Sequence, residues 1–361
     1  MTHSYRGMRV LVTGHTGFKG AWLASCLLQD GAEVAGLALA PEPGTPNLFR
    51  DLDLASRMRS EIVDIRDFDT VSTAIARFQP EIIFHLAAQS LVRRSYADPL
   101  GTFAVNVMGT AHVLEAARRT GTVRAVVCVT SDKCYENREW VWGYRESDPL
   151  GGKDPYSASK AAAEIVAASY RQALLTGSGL RLATARGGNV IGGGDWSEDR
   201  LIPDLVRAIR AGTPLVLRHP AAVRPWQHVL ELLHGYLLLG ERLLAADDEA
   251  AGAWNFGPAR ASEVTVGRLV AEALAAWGGD PIPVRVEPSA VAEAGILKLD
   301  TAKAEAKLAW RPALDFATTV RQTMAWYRGY SEQPATARDL VETQIAEYRR
   351  VAAAADEGDR P

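Results

Sequence analysis

Residues 8–28 read MRVLVTGHTGFKGAWLASCLL, and this stretch decides the fold. Residues 8–13 form a largely apolar run that is typical of a buried strand, and residues 21–28 have the pattern of a helix. A turn with three glycines stands between them. A strand, a glycine turn and a helix in this order are the context that a dinucleotide-binding loop requires.

The glycines of this turn have separate roles. Gly14 permits the tight turn, Gly17 lets the backbone approach a pyrophosphate, and Gly20 allows the helix to pack closely on the strand. The helix N-terminus offers unpaired N–H groups and a positive dipole end to phosphates. We therefore predict that Gly14, Thr16, Gly17, Phe18 and Gly20 contact a cofactor, with a plain turn as the alternative.

Strands and helices alternate along the first half of the chain. Predicted strands span residues 8–13, 33–39, 60–65, 81–86, 124–130 and 181–186, and predicted helices span residues 21–30, 67–78, 105–119 and 156–175. This alternation predicts parallel pairing in a doubly wound α/β sheet of the Rossmann type.

The regular alternation weakens after residue 186, where glycine and proline cluster. We predict a dinucleotide-binding domain over residues 1–190, to which residues 226–256 return, and a smaller C-terminal substrate-binding domain over residues 191–350. The alanine-rich and charged residues 351–361 are predicted to be a flexible tail.

A tyrosine precedes a lysine by four residues in Tyr156-Ser157-Ala158-Ser159-Lys160. Residues i and i+4 share a helix face, so the Lys160 ammonium is expected to lie near the Tyr156 phenol and to favour its anionic form. A phenol with a pKa of about 10 needs such a cation to serve as a base. This spacing usually marks a solvated helix face, but the glycine loop favours a pair that moves a proton while a nicotinamide moves a hydride.

Candidate site residues follow several predicted strands. Ala87-Ala88-Gln89 follow the fourth strand, Ser131-Asp132-Lys133 the fifth and Gly187-Gly188-Asn189 the sixth. Ligands of open parallel sheets bind at the carboxyl ends of the strands. We predict that Ala87 and Ala88 contact the cofactor. Asn106 is predicted to fix the surroundings of Lys160, with a helix-start residue as the alternative.

The adenosine end of the cofactor is less clearly marked. Asp64 and Ile65 end the third predicted strand and are candidate cofactor contacts, although an aspartate that caps the next helix is an equal alternative. The second strand runs into Ala40, where a carboxylate usually binds the ribose 2′-hydroxyl. No arginine stands there to bind a 2′-phosphate, so we predict NAD rather than NADP.

Composition excludes several classes of function. The net charge of −3 gives no electrostatic case for nucleic acid or an anionic membrane. The three cysteines, Cys26, Cys128 and Cys134, show neither disulfide nor metal-ligand spacing. No apolar run reaches the roughly 18 residues of a membrane span, and the polar start does not resemble a signal peptide. We predict a cytoplasmic enzyme without a metal.

Several segments resemble the extended short-chain dehydrogenase/reductases that act on nucleotide sugars. They are the glycine loop with its GxxGxxG spacing, Leu86-Ala87-Ala88-Gln89, Asn106-Val107-Met108-Gly109-Thr110 and the YxxxK motif. Longer and more specific blocks resemble the 4,6-dehydratases of this family: residues 130–135, 137–146, 188–196 and 224–229, with a weaker match at 298–300. Ser90 and Ala40 depart from the family pattern.

The resemblance implies NAD as cofactor and CDP-glucose as substrate. The implied substrate contacts are Gln89, Asn189 and Arg224. The fork of the Arg224 guanidinium suits the oxygens of the substrate diphosphate. Arg200 is a further candidate, with a structural role as the alternative. The family commonly pairs through two helices per subunit, so a homodimer or a higher homo-oligomer is expected.

A 4,6-dehydratase needs a base for the C4 hydroxyl, an acid for the departing C6 hydroxyl and a base for the C5 proton. Tyr156 is the predicted first base, with Ser131 orienting the C4 oxygen and Thr130 as the alternative. Asp132 is the predicted acid. Lys133 is predicted to be either the C5 base, which requires a neutral amine, or a stabiliser of the C5 carbanion.

Four other functions remain open at this stage. A 4-epimerase or a decarboxylase would use the same Tyr156 and Lys160 without needing Asp132 and Lys133. A dehydratase for another nucleotide sugar would use all four residues. A non-catalytic nucleotide-sugar or NADPH sensor could share the fold.

Overall fold

A computed structural model of the 361-residue chain describes residues 5–279, 282–287 and 295–358. Residues 1–4 of the predicted first domain and residues 359–361 of the predicted tail lie outside the described residues. The strands are β1 (Arg9–Thr13), β2 (Glu33–Ala38), β3 (Arg59–Ile62), β4 (Ile82–His85), β5 (Ala125–Val129), β6 (Arg181–Arg186), β7 (Val190–Ile191), β8 (Leu215–Leu217), β9 (Val223–Pro225), β10 (Gln227–His228), β11 (Ala253–Asn255), β12 (Glu263–Thr265) and β13 (Val284–Val286).

The helices run between and after these strands. They are α1 (Phe18–Gln29), α2 (Leu48–Asp51), α3 (Leu54–Arg57), α4 (Phe68–Phe78), α5 (Val92–Ala97), α6 (Pro99–Phe103), α7 (Thr110–Arg119), α8 (Pro155–Ser169), α9 (Leu201–Ala211), α10 (Val229–Leu244), α11 (Val266–Trp277), α12 (Ala302–Leu308), α13 (Phe316–Glu332) and α14 (Ala337–Gly358).

Seven parallel strands form the main sheet in the order β11-β6-β5-β4-β1-β2-β3. The chain starts in the middle, winds outwards to β3 and then returns to the other side, which is the doubly wound topology. All six predicted strands are present, so the predicted fold class is confirmed. The seventh strand, β11, pairs with β6 and comes from the segment expected to return to the first domain.

Helices cover both faces of the sheet because successive strand residues point to opposite sides. Val10 and Val12 of β1 belong to one buried cluster with α1 and α10, and Leu11 between them belongs to a second cluster with α4 and α7. Burial on both faces explains why β4 and β5 are buried along their whole length.

The segments after residue 186 add three small two-stranded sheets and a group of helices. β7 pairs with β10, β9 with β12, and β8 with β13. The division into domains at residues 190 and 350 stays a prediction. Residues 351–358, where we expected the flexible tail to begin, are the end of α14, and Ala352 is buried in the first cluster.

Candidate active site

The glycine loop joins β1 to α1 at the carboxyl edge of the sheet. Gly14 has φ of 79°, and a Cβ at this position would lie 2.8 Å from the backbone nitrogen of Ala87. The loop therefore lies directly on the segment that follows β4. No side chain caps α1 at Gly17, so the first N–H groups of the helix are available to an anion.

The other predicted cofactor contacts lie around this loop. The Thr16 hydroxyl donates to the carbonyl of Leu39, just beyond β2, and the Phe18 ring approaches Gly192. Asp64 lies two residues beyond β3, where Arg66 pairs with it at 2.5 Å and lowers its pKa. Ile65 is buried and packs against Gly109.

Helix α8 presents the tyrosine and lysine of the YxxxK motif. Asp154 caps its N-terminus by accepting from the Ser157 N–H, and Pro155 occupies the first turn. Tyr156 is 8% exposed, and the Ser131 hydroxyl acts on its phenol to lower its pKa. The buried Lys160 ammonium donates to the carbonyl of Val129 at 3.3 Å. The motif thus meets the carboxyl end of β5, as the sequence predicts.

Burial raises the pKa of Tyr156 to about 12, while Ser131 and Arg200 act in the opposite direction. The sequence argument expected the Lys160 ammonium to favour the phenolate. Burial outweighs these two effects, and the Lys160 ammonium donates to the backbone carbonyl of Val129, so the expected lowering of the Tyr156 pKa is not seen. Burial also lowers the pKa of Lys160.

Asp132 lies next to this pair in a tight turn after β5. The Ser131 hydroxyl donates to Asp132 Oδ1 at 2.9 Å. Asp132 Oδ2 is buried and has no hydrogen-bond partner among the described residues. A buried carboxylate oxygen without a partner carries a cost that a ligand hydroxyl would remove. The role of Asp132 as the acid stays a prediction.

Lys133 has an exposed side chain, although the buried Asp132 and Cys134 flank it. Its role as the C5 base or as a stabiliser of the C5 carbanion stays a prediction.

Sequence reasoning missed two charged residues at this site. Lys19, within the glycine loop, is half-buried, and desolvation together with the charges of Arg200 and Lys160 lowers its pKa to about 8. Asp195 is buried and pairs with Arg200 at 2.9 Å. Burial raises the pKa of Asp195, but the Arg200 charge and the hydrogen bonds from Ser197 and Arg200 together hold the pKa below its ordinary value. A lysine inside a glycine loop was the available signal for Lys19.

Of the predicted substrate contacts, Arg200 lies beside Tyr156, while Asn189 and Arg224 lie in the segments that follow β6 and form β9. Arg200 Nη2 also donates to Ser90 at 3.3 Å, and its charge acts on Tyr156, so it belongs to the site. Asn189 follows β6, with its carbonyl accepting from the Gln227 N–H. Arg224 donates to the carbonyls of Val223 and Gly295 in the C-terminal half.

Gln89 and Asn106 bond to each other instead of projecting freely. The Gln89 amide donates to Leu91 and Thr102, and its backbone N–H donates to Asn106 Oδ1. Asn106 Nδ2 donates to the Ser159 hydroxyl at 2.8 Å. Asn106 thus connects the segment after β4 with the residue next to Lys160.

A doubly wound sheet with a tyrosine–lysine helix at its carboxyl edge defines the extended short-chain dehydrogenase/reductases. The family model described as GDP-mannose 4,6 dehydratase matches residues 11–323. A CDP-glucose 4,6-dehydratase of Salmonella typhimurium is 46% identical over 331 residues, which cover 90% of this chain and 92% of that protein. This chain belongs to the GDP-mannose 4,6-dehydratase family of nucleotide-sugar enzymes, so the predicted family is confirmed.

Other relatives share the architecture. A UDP-glucose 4-epimerase of Mycolicibacterium smegmatis is 30% identical over 330 residues, which cover 90% of this chain and 100% of that protein. A crystal structure of a dTDP-glucose 4,6-dehydratase from Streptomyces venezuelae with NAD bound has a TM-score of 0.76 at 29% identity, covering 91% of this chain and 100% of that chain.

The described residues contain neither a membrane-spanning helix nor a cluster of metal ligands. Within them, no helix has the length and apolar character needed to cross a membrane. Across the same residues, no three histidine, cysteine or acidic side chains converge in a way that would hold a metal ion.

Proposed function

We propose that this protein is a CDP-glucose 4,6-dehydratase, which converts CDP-D-glucose into CDP-4-keto-6-deoxy-D-glucose with NAD as cofactor. The observation that carries the proposal is the unpartnered, buried Oδ2 of Asp132 beside Ser131 and Tyr156. Oxidation at C4 alone needs only the tyrosine and its neighbours. A protonatable carboxyl next to them supplies what elimination of water requires.

The residues present fit NAD. The uncapped start of α1 and the glycine loop at Gly14, Gly17 and Gly20 suit a pyrophosphate, and the half-buried Lys19 adds positive charge there. The remaining proposed cofactor contacts lie in the glycine loop, after β3 and β4, and on the helical segments beside them. They are Thr16, Phe18, Asp64, Ile65, Ala87, Ala88, Asn106, Tyr156 and Lys160. When bound, NAD accepts a hydride from C4 of the sugar and returns it to C6.

Tyr156 handles the first proton. As base it takes the proton of the C4 hydroxyl, and Ser131 hydrogen-bonds the C4 oxygen and orients it. Ser131 and Arg200 are the groups that draw the pKa of Tyr156 down against burial. Lys160 holds a positive charge behind the phenol. Oxidation at C4 leaves a ketone, which acidifies the neighbouring C5 proton.

Asp132 and Lys133 handle the elimination. A base removes the C5 proton while Asp132 protonates the C6 hydroxyl, the C6–O bond breaks and water leaves. Lys133 acts as that base or stabilises the developing C5 carbanion by its charge. C6 then receives hydride and C5 receives a proton, so that the cofactor ends in its starting state.

The substrate diphosphate is proposed to bind between the two halves of the chain. Arg200 and Arg224 supply guanidinium groups, and Asn189 and Gln89 supply hydrogen bonds. The cytidine base rests on the 46% identity with the Salmonella enzyme rather than on a base contact.

We propose a cytoplasmic homodimer. Met108 and Ile165 are 52% and 59% exposed, and they lie on the neighbouring helical segments predicted at residues 105–119 and 156–175, which are the proposed pairing helices. Large apolar side chains exposed on adjacent helices are typical of an interface with a second copy. The free cysteines Cys26, Cys128 and Cys134 agree with a reducing compartment.

The test is to incubate the purified protein separately with CDP-glucose, UDP-glucose and dTDP-glucose and a catalytic amount of NAD⁺. The proposal predicts that a 4-keto-6-deoxy sugar forms from CDP-glucose in preference to the others. A 4-epimer as the product would favour the epimerase alternative. Preference for another nucleotide would retain the reaction and reject the base assignment.

A further inference from the structure

An ion pair is buried directly behind the active site. Glu164 Oε2 lies 2.8 Å from Arg186 Nη2, and each side chain is 3% exposed. Neither residue belongs to the proposed proton-transfer chain. A buried ion pair rarely adds net stability, since desolvation offsets the attraction, so its position calls for a separate explanation.

Glu164 connects the catalytic helix with two strands. It lies on α8, one turn beyond Lys160 and two turns beyond Tyr156. Its Oε1 accepts from the Thr130 hydroxyl at 2.5 Å, and its Oε2 also accepts from the Thr184 hydroxyl at 2.7 Å. Thr130 immediately precedes Ser131 and Asp132.

Arg186 contacts Tyr135, which follows the turn that contains Asp132 and Lys133. Its Nη1 donates to the Tyr135 hydroxyl at 2.7 Å, and its guanidinium lies 4.9 Å from the centre of the Tyr135 ring. Nη1 also donates to the carbonyl of Glu146. Tyr135 in turn donates to Asn255 on β11, so it is fixed from two sides.

The pair therefore contacts both ends of the segment that carries Asp132 and Lys133, as well as the helix that carries Tyr156 and Lys160. We propose that Glu164 and Arg186 are positioning residues that hold the elimination acid in register with the oxidation base. This inference rests on the proposed dehydratase function and adds to it. A reaction with one active centre for two chemical steps needs such fixed spacing.

Glu164 also acts on Lys160 through its charge. Burial lowers the pKa of Lys160, and the charge of Glu164 opposes that effect. The other groups facing Lys160 are neutral or cationic: burial raises the pKa of Cys128 to about 12 and that of Cys134, burial lowers that of His85 to about 3, and Lys19 is a cation. Cys128, Glu164 and Cys134 all act to raise the pKa of Lys160, and Glu164 is the carboxylate among them.

Glu164→Gln tests both consequences. The amide keeps the shape and a hydrogen bond to the threonines but removes the charge. We expect kcat to fall by about 10²-fold, as for a misplaced catalytic group, with KM little changed because neither residue touches the substrate. The alkaline limb of the pH profile of kcat should move to lower pH, since Lys160 then loses its proton more easily.

Arg186→Lys separates the two roles. Lysine keeps the charge opposite Glu164 but cannot reach Glu164 and Tyr135 together, because it lacks the planar fork of arginine. We expect a fall in kcat smaller than that of Glu164→Gln, with the alkaline limb unmoved. Asp30→Asn is the matched control: it breaks the 2.6 Å pair with Arg349 between α1 and α14, away from the site.

The assays use whichever nucleoside diphosphate glucose the wild-type protein converts. An active wild type with unchanged kcat and pH profile in Glu164→Gln would overturn the inference and leave the proposed function standing. A fall in kcat no larger than that of Asp30→Asn, without a pH shift, would also overturn it. If Glu164→Gln does not fold, wild-type kcat in Arg186→Lys decides against the inference. A wild type inactive on every sugar nucleotide would reject both proposals.

Discussion

Gly188 lies directly against the carboxylate of Asp132: a Cβ on Gly188 would stand 2.1 Å from Asp132 Oδ2. The turn after β6 thereby closes over the proposed acid and leaves no room for a side chain. Asp132 cannot move aside freely because Ser131 holds its other oxygen.

Gly188→Ala is expected to displace Asp132 and to lower the rate of ketone formation by about 10²-fold, the effect of a roughly 1 Å misplacement. Gly121→Ala is the control, because a Cβ there meets nothing within 4 Å. Product formation and thermal unfolding measured on both variants check this. Equal activity of the two variants would show that Asp132 does not need its observed position.

Tyr156→Phe removes the hydroxyl that takes the C4 proton. The ring remains, so burial and folding should be retained. We expect the rate to fall by about 10²- to 10⁴-fold, the usual contribution of a positioned acid or base. Substrate affinity, measured by calorimetry, should change little. Residual activity within a factor of about 3 of wild type would assign the C4 proton to another group.

Asp132→Asn removes the proton donor for the leaving hydroxyl but keeps the size of the side chain. The C4 oxidation machinery of Tyr156, Ser131 and Lys160 is untouched. We expect 4-keto-6-deoxy product to fall by about 10²- to 10⁴-fold. Slow exchange of the C5 proton with solvent deuterium should persist in bound substrate. Undiminished dehydration would remove Asp132 from the mechanism.

Glu231 makes stability depend on pH. Burial raises the pKa of this carboxyl, which accepts from Ala313, Leu314 and Tyr348, to about 7 from an ordinary 4.5. The folded protein therefore retains the proton longer than the unfolded chain does. Stability is full below the unfolded-state pKa and is lost as pH rises towards the folded-state pKa. At about 1.4 kcal/mol per pH unit, the loss is about 3 kcal/mol.

Glu231→Gln is expected to lack this loss. Denaturant unfolding of the wild type and of Glu231→Gln at pH 4.5 and pH 8 would measure this loss. Between the two pH values the unfolding free energy of the wild type should fall relative to that of the variant. A difference that stays constant with pH would mean that Glu231 does not titrate in this way.

The proposed dimer can be tested at Ile165. Ile165→Arg places a charge on the exposed apolar surface of α8 and should give a monomer by light scattering. Ile62→Arg is the control, since Ile62 is equally exposed at 59% but lies on β3, away from these helices. A dimer that survives Ile165→Arg would place the interface elsewhere.

Local patterns predicted most of the fold. The six strands and the helix that carries Tyr156 follow from apolar runs bounded by glycine, proline and capping residues, such as Asp154 before α8. The convergence of Ser131, Tyr156 and Lys160 followed from the rule that parallel strands share one functional edge. The buried His85, at the end of β4, hydrogen-bonds to Thr13 and Thr110.

Features that depend on distant contacts were not predictable in the same way. Arg186 pairs with Glu164 across two elements, and nothing local to either residue indicates the partner. The exposure of Lys133 depends on the path of the turn after β5. The high pKa of Tyr156 reflects burial, which an i, i+4 spacing does not reveal.

The most direct test of the central claim follows the hydrogen at C4. CDP-glucose deuterated at C4 would be converted by the protein with a catalytic amount of NAD⁺, and the product would be analysed by NMR. The account predicts a 4-keto-6-deoxy sugar with the deuterium at C6. Deuterium that remains at C4 in a sugar of inverted configuration would contradict it and would identify an epimerase.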